Sequence, residues 1–209
     1  MIVPAILTNS KNEFVEMLNV CKEFTDFVQI DIMDGKFVPS KSVDKSELKG
    51  LKTPLRCEAH LMVNNPLEWL SIFEELKAER IIFHFEIKED KKVIIKEIRK
   101  KGFKVGLAVN PDTPIEDFKE FINNVDMILF MSVIPGFYGS KFIPPVLDKV
   151  KAFKKLYPYK KTGIDGGIKI SNVRKVKEAG LDYIYVGSAI LKAVSPFKTY
   201  MDFIKEINE

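Results

Sequence analysis

Two aspartates and a histidine stand at the ends of apolar, β-rich runs in this chain. Residues 27–33 read FVQIDIM, and strand alternation puts Gln29, Asp31 and Met33 on one face while Ile30 and Ile32 take the other. Residues 55–63 read LRCEAHLMV and place Glu58, His60 and Met62 together; MILFMSV contributes Met131, and the run ending in GIDGG carries Asp165 at its tip. Two carboxylates facing each other across a substrate can act as base and acid. With an imidazole they also offer oxygen and nitrogen ligands that suit Zn, Mn, Fe or Co better than copper. Abstracting a proton next to a carbonyl creates an enediolate, whose charge a metal bound to the two oxygens would stabilise. Asp31 or Asp165 alone could simply bond backbone amides at a strand end. Two carboxylates, a histidine and a glutamine converging together are costly to bury unless they are paired or coordinated.

A second group of residues suits a phosphate. GIDGGIKISNV and YVGSAI set Gly166, Gly167, Gly187 and Ser188 just before helical patterns, where backbone N–H groups can hold a dianion and glycine permits close approach. IPGFYGSKF adds Gly136 and Gly139.

The elements that must position these residues alternate along the whole chain. Strand runs are expected at 3–7, 27–33, 55–63, 80–86, 104–110, 127–133, 161–165 and 183–187, each followed by a stretch of helical period such as PLEWLSIFEELKA, KKVIIKEIRKKG or PIEDFKEFINNV. Pro66, Pro114, Pro144 and Pro145 sit near first turns, and Gly102 and Gly180 follow last turns. KFVPSKSVDKSELKGL reads as a long loop with one short helix. Eight strand-helix units in 209 residues match a single (β/α)8 barrel, the TIM fold, spanning residues 1–209. The rival, an open doubly wound sheet, commonly has a glycine-rich turn after its first strand, and TNSKNE has no glycine. In a barrel, the strands' C-terminal ends gather the active-site residues.

Composition narrows the classes. Lys and Arg number 33 against 29 Asp and Glu, a net charge of +4 with no concentrated block, which excludes a nucleic-acid footprint and suits a small anionic ligand. With 46% hydrophobic residues and 16 Phe the chain is not a disordered one. No window approaches the roughly 18 apolar residues of a membrane span, and the N-terminus lacks the pattern of a signal peptide. Cys21 and Cys57 form no paired motif, so a reducing cytoplasm is the expected setting.

The motifs PAILTNS, QIDIMDGKFVPS, AHLMVNNP, GLAVNPDTP, MSVIPGFYGSKFIP and IDGG run through nearly the whole chain, and with them it resembles the ribulose-phosphate 3-epimerase family. The resemblance implies a phosphate-binding barrel that interconverts D-ribulose 5-phosphate and D-xylulose 5-phosphate by moving a proton at C3, with one divalent metal (Zn, Mn, Fe(II), Co or Mg), and it suggests a homo-oligomer. Residue by residue, it makes Asp31 and Asp165 the acid and base and also metal ligands, with His60 a further ligand that also touches substrate. Met33, Met62 and Met131 would line the enediolate or simply fill the core. Gly136, Phe137, Tyr138, Gly139, Gly166, Gly167, Gly187 and Ser188 fall on substrate and phosphate contacts.

Three positions depart from the family pattern. Ala5 stands where a substrate-contacting Ser is usual, Gln29 where a metal-binding His is usual, and Lys36 where a His follows MDG. A neutral amide oxygen is a poorer Zn donor than imidazole, so Gln29 implies weaker metal binding, a harder metal or no metal. Lys36 would either reach the substrate as a cation or stay solvated. His84, between Phe83 and Phe85, reads as core or as support for the site, and Glu58 as an orienter of His60 or a buried structural carboxylate. Two other functions fit the same residues: epimerisation of another ketose phosphate such as allulose 6-phosphate, and sugar-phosphate binding without catalysis. The Asp-x-Lys-x-x-Asp pattern of orotidine-phosphate decarboxylases is absent, the lysine of QIDIMDGK standing in a different place.

Overall fold

The computed structural model describes residues 1–136 and 139–209. Eight parallel strands close in chain order into one barrel: β1 (Ile2–Ile6), β2 (Phe27–Met33), β3 (Arg56–Met62), β4 (Arg80–His84), β5 (Lys104–Val109), β6 (Met127–Met131), β7 (Lys161–Asp165) and β8 (Tyr183–Val186). Around it lie α1 (Lys11–Cys21), α2 (Lys45–Leu48), α3 (Leu70–Glu75), α4 (Lys91–Lys100), α5 (Ile115–Phe118), α6 (Val146–Leu156), α7 (Ile170–Glu178), α8 (Ser188–Leu191) and α9 (Pro196–Asn208). Strands such as β2 and β6 are buried along their full length, because helices cover one face and the barrel interior takes the other.

Local chemistry sets the helix ends. Ser10 accepts the Glu13 N–H at the start of α1, and Asp44 with Glu47 forms a reciprocal cap on α2. Pro66 opens a 3₁₀ turn ahead of α3. Gly102 and Gly180 stop α4 and α7 in the left-handed region, at φ +86° and +87°, where a side chain would be strained.

Differences from the sequence-based expectation lie at element ends and within two helical stretches, PLEWLSIFEELKA and PIEDFKEFINNV. Six strands stop before the expected Leu7, Val63, Glu86, Asn110, Val133 and Gly187, the ladder ending one or two residues short of the expected run. PIEDFKEFINNV divides into α5 and a 3₁₀ segment, Lys119–Asn124. Phe118 and Phe121, both buried and three apart, match the three-residue turn.

One apolar layer lies between sheet and helices, and a smaller core, including Val3, Phe27, Ile82, Leu129 and Tyr185, fills the barrel. Small residues make room for large ones there. A Cβ on Gly163 would come within 2.7 Å of the Tyr185 ring. Beneath this core Arg80 donates to Glu58 at 2.6 Å, both side chains being almost wholly buried, and the guanidinium lies over the Tyr183 ring. Glu58 is therefore a structural carboxylate paired with Arg80 and does not hydrogen-bond His60. At the floor's rim Asp182 accepts from Lys161 at 2.7 Å, Lys154 at 3.2 Å and the Thr162 N–H at 3.0 Å.

Candidate active site

Strand register brings the polar residues of β2, β3 and β7 together at the C-terminal mouth. Asp31 is level with His60 on the neighbouring strand, and Asp165 is level with Met131 on one side and Tyr185 on the other. His60 Nδ1 lies 3.1 Å from Asp31 Oδ1 and 3.3 Å from Asp165 Oδ2. Gln29, fully buried one step below, donates its amide to both acids at 2.7 Å. Its Oε1 is buried without a partner.

The electrostatics follow from this crowding. Burial, with the charge of Asp165 added, pushes the Asp31 carboxyl up to about 6 against the hydrogen bonds from His60 and Gln29. Burial opposes a charge on His60, but hydrogen bonds to Asp165 and Asp31 and their charges outweigh it and lift the imidazole to about 9. His84 is shifted the other way, by burial and by the charge of His60. Two carboxylates against one imidazolium leave an excess of negative charge at neutral pH. The cluster calls for a cation.

Asp31, His60 and Asp165 each offer one ligand atom, all within 4.8 Å of one another. Two oxygens and a nitrogen fit a divalent metal of the borderline to hard kind, and the unpartnered Gln29 Oε1 beside them is a further oxygen that a rotation of the amide would present.

Asp31, His60 and Asp165 line a cavity of about 630 Å³. Met33, Met62 and Met131 line it, as does Ala5. Gly136, Gly139, Gly166, Gly167, Gly187 and Ser188, from the glycine-rich turns singled out in the sequence, line it as well. Gly166 and Gly167 have φ of +116° and +65°, and a Cβ on them would lie 2.4 Å from Val133 Cγ2 and 2.7 Å from the Phe142 nitrogen. Only glycine fits this turn at the head of α7. Ser132, after β6, donates its hydroxyl to the carbonyls of Asp165 and Gly166 at 3.0 and 2.7 Å. Phe137 and Tyr138 lie outside the described residues. Lys36 is exposed and does not line the cavity. Lys169 and Lys192 do line it and were not singled out in the sequence, since their reach into the mouth depends on how the β7 and β8 loops fold back.

Residues 1–191 match the sequence family described as the ribulose-phosphate 3 epimerase family. The chain belongs to this family. Among its curated relatives, the ribulose-phosphate 3-epimerase of Mycobacterium tuberculosis (strain ATCC 25618 / H37Rv) is 36% identical over 177 residues, which cover 82% of this chain and 77% of that one. The Chlamydia muridarum enzyme is 37% identical over 182 residues, 83% and 80% of the two chains. The cytoplasmic isoform of Oryza sativa subsp. japonica is 33% identical over 202 residues, 93% and 89%. Membership makes the chain an epimerase, a class of isomerase. Solved structures agree on the fold: 3-hexulose-6-phosphate synthase from Salmonella typhimurium superposes with a TM-score of 0.73 at 16% identity, covering 99% of this chain and 98% of its own. Orotidine 5'-phosphate decarboxylase from Pyrococcus horikoshii does so with 0.68 at 15%, covering both chains fully. Among the described residues no helix is long and apolar enough to cross a membrane.

Proposed function

We propose that this epimerase interconverts D-ribulose 5-phosphate and D-xylulose 5-phosphate, with Asp31 and Asp165 exchanging the proton at C3. The observation that carries the reading is the pair of carboxylates, held from two non-adjacent strands by one amide and one imidazole beside a cavity that glycine-rich turns also line. Epimerisation needs a base that takes the C3 proton and an acid that returns one from the opposite side. The crowding of Asp31 suits that division, since burial and the charge of Asp165 make it hold a proton more readily than an ordinary carboxyl. In this reading the backbone of Gly166, Gly167, Gly187 and Ser188 binds the phosphate, with Lys169 and Lys192 adding positive charge. Met33, Met62 and Met131 keep water from the reacting carbon with soft, adaptable surface.

Asp31, His60 and Asp165 would hold a divalent cation, which when bound supplies positive charge to the developing enediolate. With Gln29 in place of an imidazole, the donor set loses a nitrogen that suits Zn and keeps oxygens that Mn, Fe(II) or Mg accept. The test is deuterium incorporation at C3 of D-ribulose 5-phosphate in D2O, followed by NMR after chelation and again after adding each metal. Exchange and xylulose 5-phosphate formation restored by metal are expected, with Mn ahead of Zn. In Gln29→His, Zn affinity rises by about tenfold or more. Binding of the sugar phosphate without any C3 exchange, in folded protein under every condition, would overturn the catalytic reading.

A further inference from the structure

His84 and Glu86 take no part in the chemistry above, yet they complete a line of side chains leading away from it. His84 points into the barrel from β4 because it alternates in phase with Arg80 and Ile82, its small neighbour Ala108 on β5 leaves room for the ring, and that ring is fully buried. Its Nε2 lies 3.0 Å from His60 Nε2. The ring centroids are 5.1 Å apart and the planes only 23° from parallel, so the rings meet edge to edge, and one nitrogen donates while the other accepts. On its far side His84 Nδ1 is 3.3 Å from Glu86 Oε2. Glu86 is itself anchored, its other oxygen accepting from the Asn110 N–H at 2.7 Å and from the Thr113 hydroxyl at 2.5 Å.

Donor and acceptor roles then follow in order. An ionised carboxylate only accepts, so His84 carries its hydrogen on Nδ1 and leaves Nε2 bare. A bare His84 Nε2 requires His60 to donate from Nε2, and this holds whether His60 bears one proton or two. In neutral His60 the lone pair is thereby assigned to Nδ1, the atom that faces Asp31 Oδ1 and Asp165 Oδ2. We propose that Glu86 and His84 are positioning residues that fix the tautomer of His60, so that Nδ1 is the nitrogen it presents to a divalent cation. Carboxylates and carbonyls behind metal-binding histidines act in this way, and here a second imidazole is interposed. The proposal rests on the reading of Asp31, His60 and Asp165 as a metal group.

The chain contains two histidines, so ¹⁵N-histidine labelling gives four ring nitrogens, all of them in this line. For the wild-type protein the expected spectrum has His84 Nδ1 protonated, His84 Nε2 bare, and His60 Nε2 protonated and coupled to His84 Nε2 through the hydrogen bond. A protonated His84 Nε2 or a bare His60 Nε2 would overturn the proposal. The second arm is Mn binding by titration. Glu86→Gln can donate to His84 Nδ1 and reverse the order, and should weaken Mn by about 10- to 100-fold. His84→Gln, which restores an acceptor for His60, should lose less than His84→Leu, which packs well but has none. Mn affinity within about twofold of wild type in both Glu86→Gln and His84→Leu would also overturn it. If the wild type binds no Mn but shows the expected nitrogens, the metal reading fails and the tautomer line stands.

Discussion

At the floor of the barrel the Arg80 guanidinium meets the Glu58 carboxylate at 2.6 Å, whereas at the mouth two carboxylates share one imidazole and one amide. Both ends bury charge. On the floor the buried charges are opposite in sign: burial works against the guanidinium of Arg80 and the charge of Glu58 opposes that, and although burial raises the Glu58 carboxyl and leaves its Oε1 without a hydrogen bond, the charge and bond of Arg80 pull the other way. At the mouth like charges meet, and Asp31 is pushed toward the neutral range by burial and by the charge of Asp165 together. Buried charge in a barrel is thus no mark of a site; uncompensated buried charge is.

Removing one carboxylate from each end separates the two cases most sharply. Asp31→Asn should lower epimerase turnover by about 10²- to 10⁴-fold, the usual worth of a positioned acid or base. It should keep or raise the melting temperature. The folded carboxyl titrates at about 6, above its unfolded value, so its ionisation at neutral pH costs stability and the neutral amide relieves that cost. Turnover assays beside thermal melts would expose an error in either half.

Glu58→Gln should do the reverse, leaving Arg80 buried and unpaired at a cost of about 3–5 kcal/mol in urea unfolding. Replacing both residues with apolar ones of similar volume should recover most of the loss. If Glu58→Gln is as stable as wild type, the floor is not the compensated structure described above.

The smallest effect concerns Asp182. Burial would raise its carboxyl, but the bonds from Lys161, the Thr162 N–H and Lys154 hold it down at about 2. A folded value below the unfolded one gives stability that is present above about pH 4 and disappears as the pH falls toward 2. Asp182→Asn should therefore cost about 2 kcal/mol at neutral pH and close to nothing at pH 2, read from denaturant unfolding at the two pH values.

The barrel and most of the mouth were legible in the sequence because they are written in period. Alternation in FVQIDIM assigned Gln29, Asp31 and Met33 to the interior face, and the glycines after β7 and β8 marked turns that line the same cavity as the acids. What was not legible depends on register between strands. Glu58 and Arg80 are 22 residues apart, and nothing in either run says that β3 and β4 set them side by side. His84 stood between two phenylalanines, so its face was ambiguous until the small Ala108 was found opposite it. That the Gln29 amide joins both acids is likewise a matter of distance between strands far apart in the chain.

Ser132 carries a consequence of another kind. Its N–H and hydroxyl both reach the Asp165 carbonyl, and its own carbonyl takes the Ile143 N–H at 2.8 Å, so the loop 133–142 leaves and re-enters the barrel at a single pinned residue. An arch with both feet on one abutment keeps its base whatever its span does. The backbone that aims Asp165 is tied at that abutment, so its hold comes from the wall of the barrel.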